Sequence, residues 1–246
     1  MTVRVERDGR VTMITLDRPE RRNAIDHPTL LKLLDVQADI ATHSPTATRV
    51  VILTGTTPAF SAGADLNGVE AGLFATDLRR VLVGFGQLPV PVIAAIDGPA
   101  LGAGTQLAIA ADLRIATPDS PLGIPAARLG ISVDHWTIRR LRDEFTAPVA
   151  RAMLVGTENY TAERLYALGG IHRLGDLSDA QEWAQRLAQF APLTVAAHKL
   201  GLENADFEVP TVDVFEAART AAWASNDADE GRTAFLEKRV ANFTAS

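Results

Sequence analysis

The sequence predicts an α/β fold with a mainly parallel sheet, followed by a helical C-terminal region. Up to about residue 134, short apolar runs typical of buried strands alternate with segments whose apolar residues recur at helical spacing. Such alternation indicates β-α crossovers, which place successive strands parallel to one another in a single sheet. Beyond that point the strand pattern nearly disappears, and helical segments follow one another to the C-terminus.

A hairpin and a capped helix open the chain. Residues 2–16 alternate apolar and polar side chains on either side of Asp8-Gly9, a dipeptide typical of tight hairpin turns. Asp26 and Pro28 indicate the start of a helix, because Pro is favoured in the first helical turn and regularly spaced leucines follow. The strands and helices that come next, in alternation, cover residues 49–55, 69–88, 91–96, 103–111 and 112–116.

The C-terminal helical segments are separated by short breaks, and several are preceded by Asp, Ser or Thr, which cap helix N-termini. They cover residues 134–145, 147–156, 161–169, 178–191, 194–206, 212–226 and 230–243. We therefore predict a β/α core over residues 1–190 and a helical region over residues 191–246, which packs on that core or on a neighbouring subunit.

Composition excludes several classes of function. The net charge is −6 and no block of Lys or Arg is present, so a nucleic-acid partner is disfavoured. The absence of cysteine excludes disulfides and thiolate chemistry, and the five histidines form no H-x-x-x-H pair, so a zinc site is unsupported. The N-terminus lacks a signal-like apolar segment and no apolar run is long enough for a membrane span, so we expect a cytoplasmic protein.

Two glycine-bearing loops are the first candidates for a functional site. They comprise residues 60–66, "FSAGADL", and residues 102–104, "GAG", and each follows a predicted strand and precedes a predicted helix. Backbone N–H groups are free at such places and the helix dipole favours negative charge. Two N–H groups from separate loops can hold the oxygen of a polarised carbonyl as an oxyanion hole. The alternative is two tight turns that need glycine for steric reasons only.

The sequence does not match the other nucleotide-binding and nucleophile motifs that glycine-bearing loops can carry. Leu107 stands where a dinucleotide-binding fingerprint needs glycine, and the chain has no G-x-x-x-x-G-K-[ST] phosphate loop. Ser61 is not the centre of a G-x-S-x-G nucleophile elbow, because Ala59 occupies the first glycine position.

Four stretches of the sequence are, in order, "RPERRNAID", "TPAFSAGADL", "PVIAAIDGPALGAGTQLAIAADLRIAT" and "SNDADEGRTAFLEKRVANF". They resemble successive signatures of the enoyl-CoA hydratase/isomerase (crotonase) family. The resemblance spans nearly the whole chain. It implies a crotonase-like β-β-α spiral core, a C-terminal trimerisation region, and a homotrimer or a dimer of trimers. It also implies an acyl-CoA thioester as ligand or substrate in fatty acid metabolism, with no further cofactor.

The resemblance also implies the site residues. The backbone N–H groups of Ala64 and Ala103 would hold the thioester oxygen, and basic Arg22 would suit the phosphates of coenzyme A. The full set of implied ligand contacts comprises Arg22, Ala24, Ala62, Asp65, Leu66, Gln106, Ala126 and Trp136.

The chain departs from the family at two of these positions. Hydratases of the family carry glutamates at the positions of Gln106 and Ala126, where they activate water and protonate the α-carbon. Neither an amide nor a methyl group exchanges a proton at neutral pH, so we expect hydration to be severely impaired, since each such group contributes about 10²–10⁴-fold. Gln106 can still order a water or the acyl group. Alternatively, it is a buried amide that only satisfies backbone groups.

Asp134 is the one carboxylate expected nearby. It resembles the position where the family's isomerases carry their proton-shuttling acid, and Trp136 beside it lines an acyl pocket or simply packs. The alternative is a helix cap, because Asp134 directly precedes a helical segment.

Three functions follow from these observations. The first is a binding protein for fatty acyl-CoA that has lost the hydratase acid and base, resembling a divergent actinobacterial branch of the family. The second is an enzyme, either an isomerase that uses Asp134 or a residual hydratase. A purely structural scaffold comes third, because both glycine loops are intact.

Overall fold

A six-stranded sheet forms the centre of the molecule. The computed structural model describes residues 2–65, 71–203 and 209–246. Within these residues the strands are β1 (Val3–Asp8), β2 (Val11–Leu16), β3 (Val50–Gly55), β4 (Val92–Ile96), β5 (Ala100–Leu101), β6 (Leu113–Ala116), β7 (Pro121–Gly123), β8 (Tyr160–Thr161) and β9 (Arg173–Leu174). The helices are α1 (His27–His43), α2 (Ala71–Gln87), α3 (Ala103–Ala110), α4 (His135–Phe145), α5 (Ala147–Leu154), α6 (Ala162–Ala167), α7 (Leu177–Leu187), α8 (Pro192–Glu203), α9 (Val209–Trp223) and α10 (Asn226–Glu237).

The strand order of the large sheet is β1-β2-β3-β4-β6-β9. The first pair is antiparallel and forms the predicted hairpin, with Asp8 opposite Val11, whereas every other pair in this sheet is parallel. The prediction of an α/β fold with a mainly parallel sheet is therefore confirmed. The predicted helix over residues 69–88 is observed as α2, and its first two residues lie outside the described part of the chain.

The central strands β3 and β4 are buried on both faces, which explains their continuous apolar runs. Along β3, Val51 and Leu53 belong to the core cluster that also contains residues of α1, α2 and α3. Val50 and Ile52 point the other way and join a second cluster with Trp183 of α7. This alternation is the ordinary geometry of a strand between two helical layers.

A second, smaller sheet of order β5-β7-β8 was not predicted from the sequence. Its strands are only two or three residues long, too short for apolar alternation to reveal them. Thr105 ties this sheet to the start of α3, because its hydroxyl lies 2.6 Å from the Ala100 carbonyl oxygen and 2.9 Å from that of Gly123. The small sheet therefore fixes the strand-to-helix turn that precedes α3.

Helix α8 is anchored to the core by one buried lysine. The Lys199 ammonium donates to the carbonyl oxygens of Phe85 and Val90 and to the Asp112 carboxylate, at 2.8, 2.9 and 2.7 Å. Burial lowers the pKa of Lys199, and the charge of Asp112 opposes that shift. None of the helices among the described residues combines the length and apolar character needed to cross a membrane.

Candidate functional site

The two glycine-bearing turns lie side by side. Ser61 forms a parallel bridge with Ala100, in which its N–H donates to the Pro99 carbonyl at 3.0 Å and its own carbonyl accepts from Leu101 at 2.9 Å. The loop after β3 and the turn before α3 are therefore held together by backbone hydrogen bonds. The sequence predicted each turn separately, and the fold brings them into contact.

Two glycines make this close approach possible. Gly63 has a φ of +103°, and a β-carbon there would lie 2.9 Å from the Leu101 carbonyl oxygen and 3.6 Å from the Ala103 nitrogen. A β-carbon on Gly104 would lie 2.4 Å from the Ser61 carbonyl oxygen. Any side chain at either position would push the two turns apart.

Ala64 and Ala103 each carry a free backbone donor in these turns. Neither backbone N–H donates a hydrogen bond within the described part of the chain, whereas the Asp65 N–H is bonded to the Ile25 carbonyl. Ala103 is the first residue of α3 and is buried, and Ala64 is half-buried. A helix N-terminus favours negative charge, so the pair can stabilise an oxygen on which charge develops.

A tight turn at residues 22–25 supports the first loop. The Arg22 carbonyl accepts from the Ala62 N–H at 2.9 Å, so these two predicted contact residues meet through their backbones. Asn23, which sequence reasoning missed, is buried at a φ of 55°, and its side-chain amide donates to the Thr56 and Ala59 carbonyls at 2.7 Å each. The sequence contained an indication of this turn, because Asn tolerates the left-handed backbone conformation better than most residues.

Arg18 is a second residue missed by sequence reasoning. Its guanidinium pairs with Asp26 at 3.0 Å and with Asp65 at 3.1 Å, and it donates to the Ala24 carbonyl at 2.7 Å. The carboxylate of Asp65 therefore stands beside a fixed positive charge at the edge of the loop. Leu66, the neighbouring predicted contact, lies outside the described residues.

Gln106 is buried one turn into α3, and its amide has a defined partner. Its Nε2 donates to the Thr137 hydroxyl of α4 at 2.8 Å, while its Oε1 accepts no hydrogen bond from any described residue. The expectation that Gln106 only satisfies backbone groups is wrong for the nitrogen, which contacts a side chain. Sequence reasoning missed Thr137 because it lies 31 positions away.

Asp134 caps α4, as the alternative interpretation predicted. Its Oδ1 accepts from the Thr137 backbone N–H at 2.9 Å, and its Oδ2 pairs with Arg79 of α2 at 2.7 Å. Partial burial alone would raise its pKa, but the Thr137 side chain, the Thr137 N–H and the Arg79 charge together hold it below its ordinary value. Isomerisation requires a raised pKa, so this environment opposes the predicted catalytic role.

Trp136 and Ala126 both pack against the core cluster that contains Ala103. Trp136 is half-buried against the core, and the Arg79 guanidinium lies 5.4 Å above the centre of its ring. Ala126 is half-buried at the start of a single helical turn. Its methyl group supplies no acid or base.

No group of three or more His, Asp or Glu side chains is arranged to hold a metal ion, as far as the described residues extend.

The sequence and the fold of this chain are similar to those of known proteins. A family model described as enoyl-CoA hydratase/isomerase matches residues 6–246. The chain is 39% identical to a probable enoyl-CoA hydratase echA6 of Mycobacterium leprae and 33% identical to the 2,3-dehydroadipyl-CoA hydratase of Escherichia coli. The alignments cover 95% of both chains in the first case and 97% in the second. An enoyl-CoA hydratase structure from Bacillus anthracis superposes with a TM-score of 0.91 at 28% identity, with complete coverage of both chains.

Proposed function

Because this chain belongs to the enoyl-CoA hydratase/isomerase family, with the crotonase fold, we propose that it binds acyl-CoA or enoyl-CoA thioesters in fatty acid metabolism. The thioester carbonyl oxygen accepts from the backbone N–H groups of Ala64 and Ala103. The observation that carries this proposal is the pair of unpartnered donors on two turns that glycines bring into contact.

Hydration by this site is weak or lost. Water addition needs a base to activate water and an acid to protonate the α-carbon. The position of one is taken by Gln106, whose nitrogen is engaged by Thr137, and the position of the other by Ala126. Groups that act as a unit are not additive, so loss of both leaves only the contribution of binding and of the two N–H donors.

A second candidate is an enoyl-CoA isomerase, since moving one proton between two carbons needs only one carboxylate. Asp134 is the candidate for that role. Its pairing with Arg79 and its lowered pKa weigh against it, which is why we place thioester binding first.

Oligomerisation belongs to the same proposal. Among the described side chains of residues 191–246, those of Leu202, Val214, Trp223 and Val240 are large, apolar and markedly exposed. Exposed apolar surface of this kind marks protein–protein contact, and a homotrimer or a dimer of trimers would cover it.

Calorimetry on an Ala103→Pro variant tests the oxyanion site. Proline removes the N–H yet is favoured at the first position of a helix, so α3 should still form. We expect the affinity for butyryl-CoA and palmitoyl-CoA to fall about tenfold, because one hydrogen bond to the carbonyl is lost. Ala103→Gly, which keeps the N–H, is the matched control and should bind like the wild type.

Free coenzyme A tests binding of the coenzyme A moiety separately from binding of the thioester carbonyl. It has no thioester carbonyl, so its affinity should be the same for the wild type and for Ala103→Pro. Equal affinity of both proteins for the thioesters would refute the assignment of Ala103. Failure of the wild type to bind any of these ligands would refute the proposed function itself.

A further inference from the structure

The Ser61 hydroxyl is fully buried inside the first glycine-bearing loop and makes two hydrogen bonds there. It donates to the Asn23 carbonyl oxygen at 2.8 Å and accepts from the Gly63 N–H at 3.2 Å. The direction of both bonds follows from the groups themselves, because a backbone carbonyl only accepts and a backbone N–H only donates. The hydroxyl therefore links two backbone groups that do not bond to each other directly.

The N–H groups of residues 61–65 show what this link does. Three of them donate to backbone carbonyl oxygens of neighbouring segments, namely those of Ser61, Ala62 and Asp65. The Gly63 N–H donates to the Ser61 hydroxyl, and the Ala64 N–H donates to no group in the described part of the chain. The hydroxyl thus engages the one other N–H of this loop that the neighbouring segments leave without an acceptor.

Ser61 and Ala64 both turn their N–H groups towards the turn before α3. Ser61 is bonded to that turn by its N–H and its carbonyl. In the parallel bridge between Ile25 and Ala64, Ile25 makes both hydrogen bonds, so the N–H of Ala64 points to the opposite side. Consecutive residues of a strand face alternate sides, so Ser61 and Ala64 can face the same side only if one extra residue lies between them.

Gly63 is that extra residue. Its φ of +103° is outside the range of a regular strand, and its carbonyl accepts from the Ile25 N–H at 2.8 Å. An inserted residue of this kind leaves its own N–H without a place in the ladder. The Ser61 hydroxyl provides the missing acceptor in a fully buried position.

We propose that Ser61 is a positioning residue for the thioester oxygen, because its hydroxyl holds Gly63 in the conformation that turns the Ala64 N–H towards the Ala103 N–H. The inference rests on the proposed function, since it explains how one of the two donors is aimed. Without the hydroxyl, the Gly63 N–H and the Asn23 carbonyl both lose their partner in a buried place. The loop is then no longer fixed, and the direction of the Ala64 N–H is lost with it.

Amide hydrogen exchange of the ligand-free protein tests the loop itself. In the wild type the Gly63 N–H should be protected about tenfold or more relative to the Ala64 N–H, because only the first is hydrogen-bonded. In Ser61→Ala the Gly63 N–H should exchange about tenfold faster than in the wild type.

The carbonyl stretch of butyryl-CoA, labelled with ¹³C at the thioester carbon, tests the aim of the donor. Hydrogen bonds lower this frequency, so binding to the wild type should shift it below that of the free ligand. In Ser61→Ala the shift should fall to roughly half, because one of two donors is misplaced. The affinity for butyryl-CoA should fall about three- to tenfold, and the affinity for free coenzyme A should not change.

Ser120→Ala is the matched control. Ser120 is also a buried serine whose hydroxyl accepts a glycine N–H, that of Gly98 at 2.9 Å, and it lies outside the loop. Both variants lose a buried hydrogen bond, so both should melt below the wild type. Only Ser61→Ala should change the carbonyl shift and the affinity for butyryl-CoA.

Equal carbonyl shifts in the wild type and in Ser61→Ala would overturn the role of Ser61, as would an equal loss of shift in Ser120→Ala. Equal protection of the Gly63 and Ala64 N–H groups in the wild type would also overturn it, and that measurement needs no variant. A wild type that binds no butyryl-CoA would refute the proposed function instead, and hydrogen exchange would still decide whether Ser61 holds Gly63.

Discussion

At the scale of single residues, the chemistry of this chain turns on Gln106 and Ala126. A side-chain amide holds its protons over the whole physiological range, and a methyl group has none to exchange. Gln106 is buried and bonded to Thr137, so it is a structured part of the site. Under the proposed function, Gln106 and Ala126 transfer no proton, and the backbone N–H groups of Ala64 and Ala103 hold the thioester.

We expect purified wild-type protein to hydrate crotonyl-CoA about 10²–10⁴-fold more slowly than an ordinary hydratase of the family, because an acid and a base are absent. The loss of absorbance of the conjugated thioester at saturating substrate measures the rate. The double change Gln106→Glu/Ala126→Glu should recover some activity. Wild-type turnover within tenfold of an ordinary hydratase would contradict the expectation.

Asp134 gives a second prediction at this scale. Asn can still cap α4, so Asp134→Asn should change the melting temperature at pH 7 by less than about 2 °C, because the Arg79 pair is exposed. Asp134→Ala removes the cap and should cost about 1 kcal/mol, or roughly 2–4 °C.

The same variants separate capping from catalysis. If 3-enoyl-CoA isomerisation is detected in the wild type and lost in Asp134→Asn at an unchanged melting temperature, Asp134 is a base.

Because the pKa of Asp134 is lowered on folding, its stabilising effect is present at neutral pH and disappears as the pH falls through that lowered pKa. The deficit of Asp134→Ala relative to the wild type should therefore change little between pH 8 and pH 6.

At the scale of elements, α3 and α8 are each fixed by a few specific contacts. Helix α3 begins at Ala103 because Gly102 adopts a φ of 53° and the small sheet holds the turn before it. Helix α8 lies against the core through Lys199, whose three hydrogens all find acceptors. A buried ammonium is stable only when it is fully bonded, so this contact specifies where α8 docks.

Lys199→Met should lower the free energy of unfolding by about 3 kcal/mol, because it leaves the Asp112 charge and two carbonyls without their donor. Lys199→Arg should not rescue it, since a planar guanidinium does not match three acceptors arranged around an ammonium. Urea unfolding at one protein concentration measures both effects. Lys32→Met, on the exposed side of α1, is the control and should change the free energy of unfolding by less than about 0.5 kcal/mol. If Lys32→Met lowered the free energy of unfolding as much as Lys199→Met, the effect would not be specific to Lys199.

At the scale of the whole molecule, several strongly exposed apolar side chains lie in the C-terminal region. Trp223 is 67% exposed and Val240 is 84% exposed. A stable free monomer gains nothing from large apolar side chains in water, whereas a neighbouring subunit would bury them. The surface therefore supports the proposed trimer.

Trp223→Ser should weaken the assembly, because it removes the largest apolar side chain from this surface. Light scattering during gel filtration should give three or six times the mass of one chain for the wild type, and a concentration-dependent shift to smaller species for the variant. Val155→Ser, at an 81% exposed position on α5's C-terminal edge, should leave the assembly intact. A wild type that elutes as a monomer would disprove the proposed oligomer.

The sequence by itself determined the elements whose signals are local. The apolar runs of β3, β4 and β6 reflect burial on both faces of the sheet, and the caps Asp26 and Asp134 act within three residues of their own positions. The absence of an acid at positions 106 and 126 is also a fact of the sequence. These features could be predicted because their physical cause lies in the same segment.

Only the tertiary structure decided what those residues contact. Gln106 meets Thr137 across 31 positions, Arg79 meets Asp134 across 55, and Lys199 meets Asp112 across 87. Such pairs depend on how α2, α3, α4 and α8 pack, and no periodicity within a single segment encodes them. Asp134 shows the consequence, because its sequence position allowed a base or a cap. Local bonding by Thr137 lowers its pKa first, and the charge of Arg79, on a helix far along the chain, lowers it further.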